Sequence, residues 1–442
     1  MKRFRGLLAS CALGAILGLV FLASAQAAIV HAGPTATGNG SGSDWNNIAN
    51  FNTLSLVRGN TYYLQDGTYA GKTLSTAVSG STLITVKKAI GSDHGTDTGW
   101  ISAYGDGQAT FNGTLTLTTD YWVLDGQTRN ASNWADGNSY GYRATDVYTS
   151  APSQGGSCAS NITVRYMNLG GAEGTTYTGS EPGTAIYNGG FFDTCTSWTI
   201  EYNYLHNIGS FTLIQFAGTN GATVQYNHFR NSWGKEAIRG QGVSKNLIIR
   251  WNQFYNACGY TGLPGEGCTA EIAIWGSDSP GDHDNNEIYG NWFMLTRDSN
   301  SGGTIVVGGN GGSWFGVPAN NTKIYNNTIA GHSGGNQAGY ILVNGGSGNI
   351  CRNTLWYDTP VASASCNTTS NNVDATSDPF TSYAGANLHL AGATAAGFSL
   401  SSPYNVDMDG NTRGADGTWD LGAYERNTGG TRPSAPTLRI VP

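Results

Sequence analysis

The chain has 442 residues, with 22 Lys+Arg against 29 Asp+Glu, a net charge of −7 with histidine neutral, and only 12% charged residues. That balance argues against nucleic acid or an anionic membrane as the main partner. Sixty-five glycines without a three-residue period exclude a collagen-like chain, and 23 Tyr with 12 Trp exclude a disordered one.

Met1 to Ala27 reads as a secretory signal. Lys2, Arg3 and Arg5 precede an apolar run from Leu7 to Ala23, and Ala25-Gln-Ala27 suits cleavage. Its removal leaves 19 basic against 29 acidic residues, a net of −10. Apart from this leader, no stretch approaches the roughly 20 apolar residues of a membrane helix. The expected location is secreted, periplasmic or at the cell surface, with no membrane contact after cleavage.

Residues 28–126 read as a cap and first coils, including Thr61-Tyr-Tyr-Leu-Gln-Asp-Gly-Thr-Tyr69 and Tyr121-Trp-Val-Leu-Asp-Gly126. Gln127 to Ser160 shows no repeat and is expected to be a long surface loop. From 161 to 355 a pattern returns: an aliphatic residue, two variable positions, Asn, one variable position, then a large apolar residue. It is clearest in Trp198-Thr-Ile-Glu-Tyr-Asn-Tyr-Leu205, Ala222-Thr-Val-Gln-Tyr-Asn-His-Phe229 and Leu247-Ile-Ile-Arg-Trp-Asn-Gln-Phe254. The repeated asparagines are Asn203, Asn227, Asn252, Asn291, Asn327 and Asn353, spaced by 24, 25, 39, 36 and 26 residues; Met167 takes the slot in a weaker copy.

A short strand cannot bury its apolar side alone but can when stacked on copies of itself. An Asn at each turn can adopt a left-handed backbone, and stacked amides can form a ladder. A second strand follows in each coil, as in Thr212-Leu-Ile-Gln-Phe-Ala-Gly218 and Glu271-Ile-Ala-Ile-Trp-Gly276. The expected fold is all-β: a single-stranded right-handed parallel β-helix. Segment 374–425, with Asp407-Met-Asp-Gly-Asn-Thr-Arg413 and Asp420-Leu-Gly-Ala-Tyr-Glu425, reads as its closing piece, and 426–442 as a linker-like tail.

These rows resemble the right-handed parallel β-helix repeat family, the pectate-lyase-like superfamily that includes many secreted polysaccharide lyases and hydrolases. The resemblance covers about 161–355 and implies fold more than activity. It points to a polysaccharide as partner and to a monomer.

Seven cysteines include Cys11 in the leader, which leaves six. Cys258 and Cys268 bracket Gly259 to Gly267, in a coil ten residues longer than its predecessors, and a disulfide would close the neck of that loop; Cys351 and Cys366 would close another loop, leaving Cys158 with Cys195. No C-x-x-C spacing favours metal over disulfides.

Charges are scarce, so their concentration in Gly234-Lys-Glu-Ala-Ile-Arg-Gly-Gln-Gly242 is informative. Lys235, Glu236 and Arg239 lie there, and Glu271 is expected in the slot of Glu236 one coil on. In a lyase reading, Arg239 and Lys235 face an outer groove: a cation neutralises a uronate carboxylate and a base removes the neighbouring carbon-bound proton. Ala237-Ile-Arg-Gly240 looks similar to the arginine strand of alginate-lyase-like and chondroitinase-B-like β-helices, although Gln215 stands where that pattern places a lysine. In a hydrolase reading, Glu236 and Glu271 stack roughly 5 Å apart, near the separation in retaining glycosidases. In a third reading the same face adheres to glycan without turnover. Gln215, Gln241, Trp275 and Trp233 are the expected substrate-binding residues; Trp251 and Trp314 are further aromatic candidates. Asp278, Asp282 and Asp284 in an acidic loop would suit Ca²⁺ through oxygen ligands. His206 and His228, beside the Asn column, read as turn or stacking residues.

Overall fold

A computed structural model describes residues 27–149, 158–172, 179–189, 195–209, 211–257, 270–275, 283–296, 303–309, 317–331 and 339–426. The leader up to residue 26, Cys258, Cys268, Asp278, Asp282, Trp314 and the tail from residue 427 lie outside them.

The chain is a parallel β-helix. Each central coil contributes one strand to a thirteen-stranded sheet, such as Trp198–Glu201, and two to a twenty-stranded sheet, such as Tyr204–Ile208 and Ile214–Asn220. Successive coils pair in parallel; among the described strands the one antiparallel pair is Phe380–Ser382 with Asn387–Leu390, in the closing segment. No described helix is long and apolar enough to cross a membrane.

Inward-facing aliphatics set the register. Ile186, Ile214, Ile238, Ile272, Ile305 and Ile341 lie over one another in one column. Phe229, Phe254 and Phe293 form another, their rings stacked at 4.6 and 4.5 Å. All nine belong to one continuous core. A one-residue slip would turn these side chains to solvent, so the columns fix the pairing.

The asparagine column is a hydrogen-bonded ladder. The backbone N–H of Asn203 donates to Oδ1 of Asn227 at 2.9 Å, and Asn227, Asn252 and Asn291 repeat the bond to the next rung at 3.0 Å. Each Nδ2 also donates to a carbonyl one rung back, Val164 for Asn203 and Ile200 for Asn227, both at 2.9 Å. The left-handed position is not in this column but one residue before it: Tyr166, Tyr202, Tyr226 and Trp251 have φ of 56°, 58°, 56° and 56°. A bulky residue there costs roughly 1–2 kcal/mol. The four rings compensate by stacking along the helix axis at 5.0, 5.0 and 5.1 Å.

Two expectations are corrected by this register. Asn353 pairs across from Asn326 and shares its left-handed backbone, because Ile324 lies over Cys351 rather than Ile350. Thr354 therefore takes the ladder slot, and its N–H donates to Asn372 Oδ1 at 3.0 Å, where the ladder resumes. The segment expected as a long loop after Gln127 also contains strands Tyr142–Ala144 and Val147–Thr149, paired with Met167–Gly170 and Ile186–Asn188. Their apolar residues, Tyr142, Ala144 and Val147, join the core without the aliphatic–Asn signature.

Cys158 bonds Cys195 and Cys351 bonds Cys366, as the spacing suggested. The closing segment does more than end the solenoid. It runs back along its side: Tyr404 meets Tyr289 and Tyr325 at 4.9 Å each, and Ala423 N–H donates to Thr328 Oγ1 at 2.8 Å. Buried Arg413 holds its knot, donating to the carbonyls of Gly422 and Ala423 at 2.9 and 2.8 Å with Glu425 at 3.8 Å.

Candidate functional site

The expected charged patch forms, with changes. Strand Ile238–Lys245 starts after Glu236, so the chain bends between Lys235 and Ile238. That bend brings Glu236 to 3.7 Å from Arg239, although strict alternation would have put them on opposite faces. Lys235 Nζ and the Arg239 guanidinium share the ring of Phe211, at 5.0 and 5.5 Å, and Arg239 also lies 4.9 Å from the ring of Trp275. Gln215 is in register with Arg239 and contacts Gln241 at 2.9 Å. With its amide oxygen turned to Arg239, Gln241 accepts from Nε and Nη2 at 3.1 and 2.6 Å. Six predicted residues are thus brought together: Lys235, Glu236, Arg239, Gln215, Gln241 and Trp275.

The structure places the other predicted residues differently, and of the three proposed Ca²⁺ ligands it describes Asp284 alone. Ile238 lies over Ile272, so Glu271 sits across from Ala237 and not Glu236. The two glutamates are out of step, and both are nearly fully buried, at 1% and 2% exposure. Trp233 has no exposed surface and offers no platform for sugar. Trp251 is part of the turn stack. Asp284 uses its carboxylate to clasp the next coil, accepting from Asn320 N and Nδ2 at 2.8 and 3.0 Å. Among the described residues no group of three His, Cys, Asp or Glu is arranged for a metal.

A second site lies on the same sheet, and sequence reasoning missed most of it. In the strands that follow the ladder, residues one and three positions after the slot face outward, because the middle one is the core Phe or Leu. His228 and Arg230 flank Phe229; Gln253 and Tyr255 flank Phe254; Trp292 and Met294 flank Phe293. Around these rungs is a cleft of about 610 Å³. One wall is residues 131–135, with Trp134 held by the Arg129 guanidinium at 3.9 Å from its ring. The other is 384–389 with Met408, Asp409 and Tyr424. On that wall His389 bonds Asp409 at 2.8 Å and stacks on Tyr424 at 4.0 Å.

Arg230 lies in the cleft with its guanidinium 5.9 Å from the ring of Tyr255, and no described carboxylate forms an ion pair with it. Four other described arginines, Arg165, Arg239, Arg413 and Arg426, pair with carboxylates. Arg165 bridges Asp125 and Glu201 at 2.8 and 3.4 Å, and Arg250 donates to Gln225 and Tyr289 at 2.8 and 2.7 Å. Outward alternation after each Asn was the one sequence signal for Arg230 and Tyr255.

The histidines beside the ladder lie in strands rather than turns, and of the two His206 stacks. His206 stacks on Tyr204 at 4.1 Å and meets Asn168 Oδ1 at 2.6 Å; burial, aided by the Arg143 charge, pushes its pKa down to about 3. Burial pushes His228 down to about 4, with Nδ1 at 3.0 Å from Gln253 Oε1. Both folded values lie below the free value near 6.5, so the stability they confer is complete above that pH. It is lost as pH falls toward the folded values, because the unfolded chain takes up protons first. Glu425, pushed up to about 7 by burial, works in the opposite sense over part of this range. The difference between wild type and His206→Gln therefore isolates the histidine. Denaturant titrations at pH 7.5, 6, 5 and 4 should show the variant's pH slope shallower by about 1.4 kcal/mol per pH unit, one proton's worth.

The protein defined by these features is a parallel β-helix with a lateral aromatic and cationic cleft. No known family profile matches the chain, and no curated protein matches it. Among solved structures, that of pectate lyase Pel9A is similar over 90% of this chain and 96% of its own, with a TM-score of 0.48 and 15% identity. The PL6 family alginate lyase AlyGC matches over 72% of this chain and 48% of its own, with a TM-score of 0.34 and 14% identity. The PL6 family polysaccharide lyase Pedsa3628 from Pseudopedobacter saltans matches over 73% and 84%, with a TM-score of 0.34 and 12% identity. At such identities the likeness is one of coil architecture.

Proposed function

We propose that the lateral cleft binds an acidic polysaccharide and that the protein, as an exported monomer, cleaves it by β-elimination. The observation that carries this reading is Arg230: an arginine without a carboxylate partner among the described residues, set in a cleft of an otherwise acidic chain. A guanidinium facing a uronate carboxylate neutralises it and makes the adjacent carbon-bound proton more acidic. We assign Tyr255, its neighbour on the next rung, as the base: ionised to the phenolate, it takes that proton and becomes the neutral phenol. The electron pair left behind forms the new C=C bond, the C–O bond breaks with its pair going to the glycosidic oxygen, and that oxygen is protonated by the Tyr255 phenol, which returns to the phenolate. No water is consumed. Trp134 supplies a ring for a sugar face. The disulfides Cys158–Cys195 and Cys351–Cys366 support a location outside the reducing cytosol.

The Lys235–Arg239 patch is the second reading. Its support is the pairing of two cations over Phe211 with two glutamines alongside. Against it, Arg239 already satisfies Glu236 and Gln241 and is only 8% exposed.

The experiment is ultraviolet absorbance on a panel of uronate polymers, run with Ca²⁺ and with a chelator. The expected result is unsaturated product from at least one polymer. Reducing ends without absorbance would show hydrolysis and overturn β-elimination. Tight binding without either signal would leave adhesion.

A further inference from the structure

On the reading that this cleft takes an acidic glycan, we infer that it accepts chain ends and short oligosaccharides, not the interior of a long chain lying along the solenoid. The basis is which outward positions are covered. A polymer lying along the axis of a parallel β-helix needs an open strip of several consecutive rungs. Here the strip is interrupted on both sides.

Toward the N-terminus, Tyr204 and His206 point outward yet are fully buried. The segment before Tyr142 seals them: Tyr140 stacks on Tyr204 at 6.2 Å, and Gly137 O accepts from Asn168 Nδ2 at 3.0 Å. Toward the C-terminus, Trp292 and Met294 are buried in a cluster with Leu388 and Met408 from the closing segment. Beyond them Gly422 presses so closely on Thr328 that a Cβ there would lie 2.4 Å from its Oγ1. Between the two covers, Arg230, Gln253 and Tyr255 remain half-buried and line the cleft.

Two rungs span roughly 10 Å along the axis. The 610 Å³ volume is that of a pocket for a small ligand rather than a long furrow. Both covers come from segments outside the repeat, so the slot is a property of this chain's insertions and not of coil stacking.

The test uses the full chain with a length series of oligogalacturonates and oligoalginates of two to eight units, each in free and end-labelled form. Calorimetry reads affinity, and chromatography reads the size of the first products. The expected result is affinity that rises to about three units and then stays within roughly two-fold, with a bulky label at one end weakening binding at least about ten-fold. Small products should precede any fall in polymer viscosity. Affinity that keeps climbing through eight units, or labelled oligomers that bind equally, would overturn the slot while leaving the acidic-glycan reading standing. Absence of binding by every oligomer would remove both.

Discussion

Replacing Asn252 by alanine should cost roughly 3–5 kcal/mol of stability, the largest loss expected from any single outward-neutral substitution here. Asn252 Oδ1 accepts from the N–H and the Nδ2 of Asn227 at 3.0 and 3.1 Å. Its own Nδ2 donates to the carbonyls of Val224 and Arg250, at 2.9 Å each, and to Asn291 Oδ1 at 3.0 Å. Truncation leaves a buried N–H and buried carbonyls without partners where no water reaches, and each such orphan costs about 1–3 kcal/mol. Coils contact only their neighbours, so the damage should be local first. Hydrogen exchange at Asn227 and Asn252 should quicken before the outer coils respond. Thr199→Ala, on the solvent side of the thirteen-stranded sheet, should stay within about 0.5 kcal/mol. A loss below about 1 kcal/mol for Asn252→Ala in denaturant titration would show that the ladder decorates the stack without holding it.

The same ladder shows how far sequence carries the fold. The Asn column was legible because a buried amide must repeat wherever the backbone turns, and five of its six predicted members are in place. Asn353 was misplaced because its neighbour Asn326 also favours a left-handed turn, so two adjacent asparagines fit one pattern. Glu271 was misplaced for a related reason. Counting from the first polar residue of a strand assumes equal turn lengths, whereas the register follows the inward isoleucines, Ile238 over Ile272. Apolar columns pay a large penalty for slipping and polar ones do not. The charged patch was half-legible: scarcity of charge located it, and the bend before Ile238 decided which members meet. The cleft was hardly legible, because its walls come from residues 131–135 and 384–409, about a hundred positions before and more than a hundred after its floor. Nothing in a repeat announces what a distant insertion will lay across it.

Arg230→Ala should lower kcat/KM on an acidic polymer by about 100-fold or more, the loss typical of removing a group that stabilises developing charge. Arg230→Lys should recover only part of it, since an ammonium keeps the charge but not the flat fork that matches a carboxylate. Tyr255→Phe should lower kcat with little change in KM, because it removes a proton acceptor and leaves the binding surface intact. Arg239→Ala separates the two cations. It strips Glu236 of its partner while the carboxylate stays buried, so it should lower the unfolding midpoint. Turnover should survive in the fraction that remains folded. Rising salt should weaken wild type more than Arg230→Ala, because the variant has lost the cation that faces the substrate. The opposite pattern, with Arg230→Ala active and Arg239→Ala inert although folded, would transfer the chemistry to the Phe211 patch. The two arginines lie one strand apart in the same coil, and what distinguishes them is that one already has a carboxylate to neutralise and the other does not.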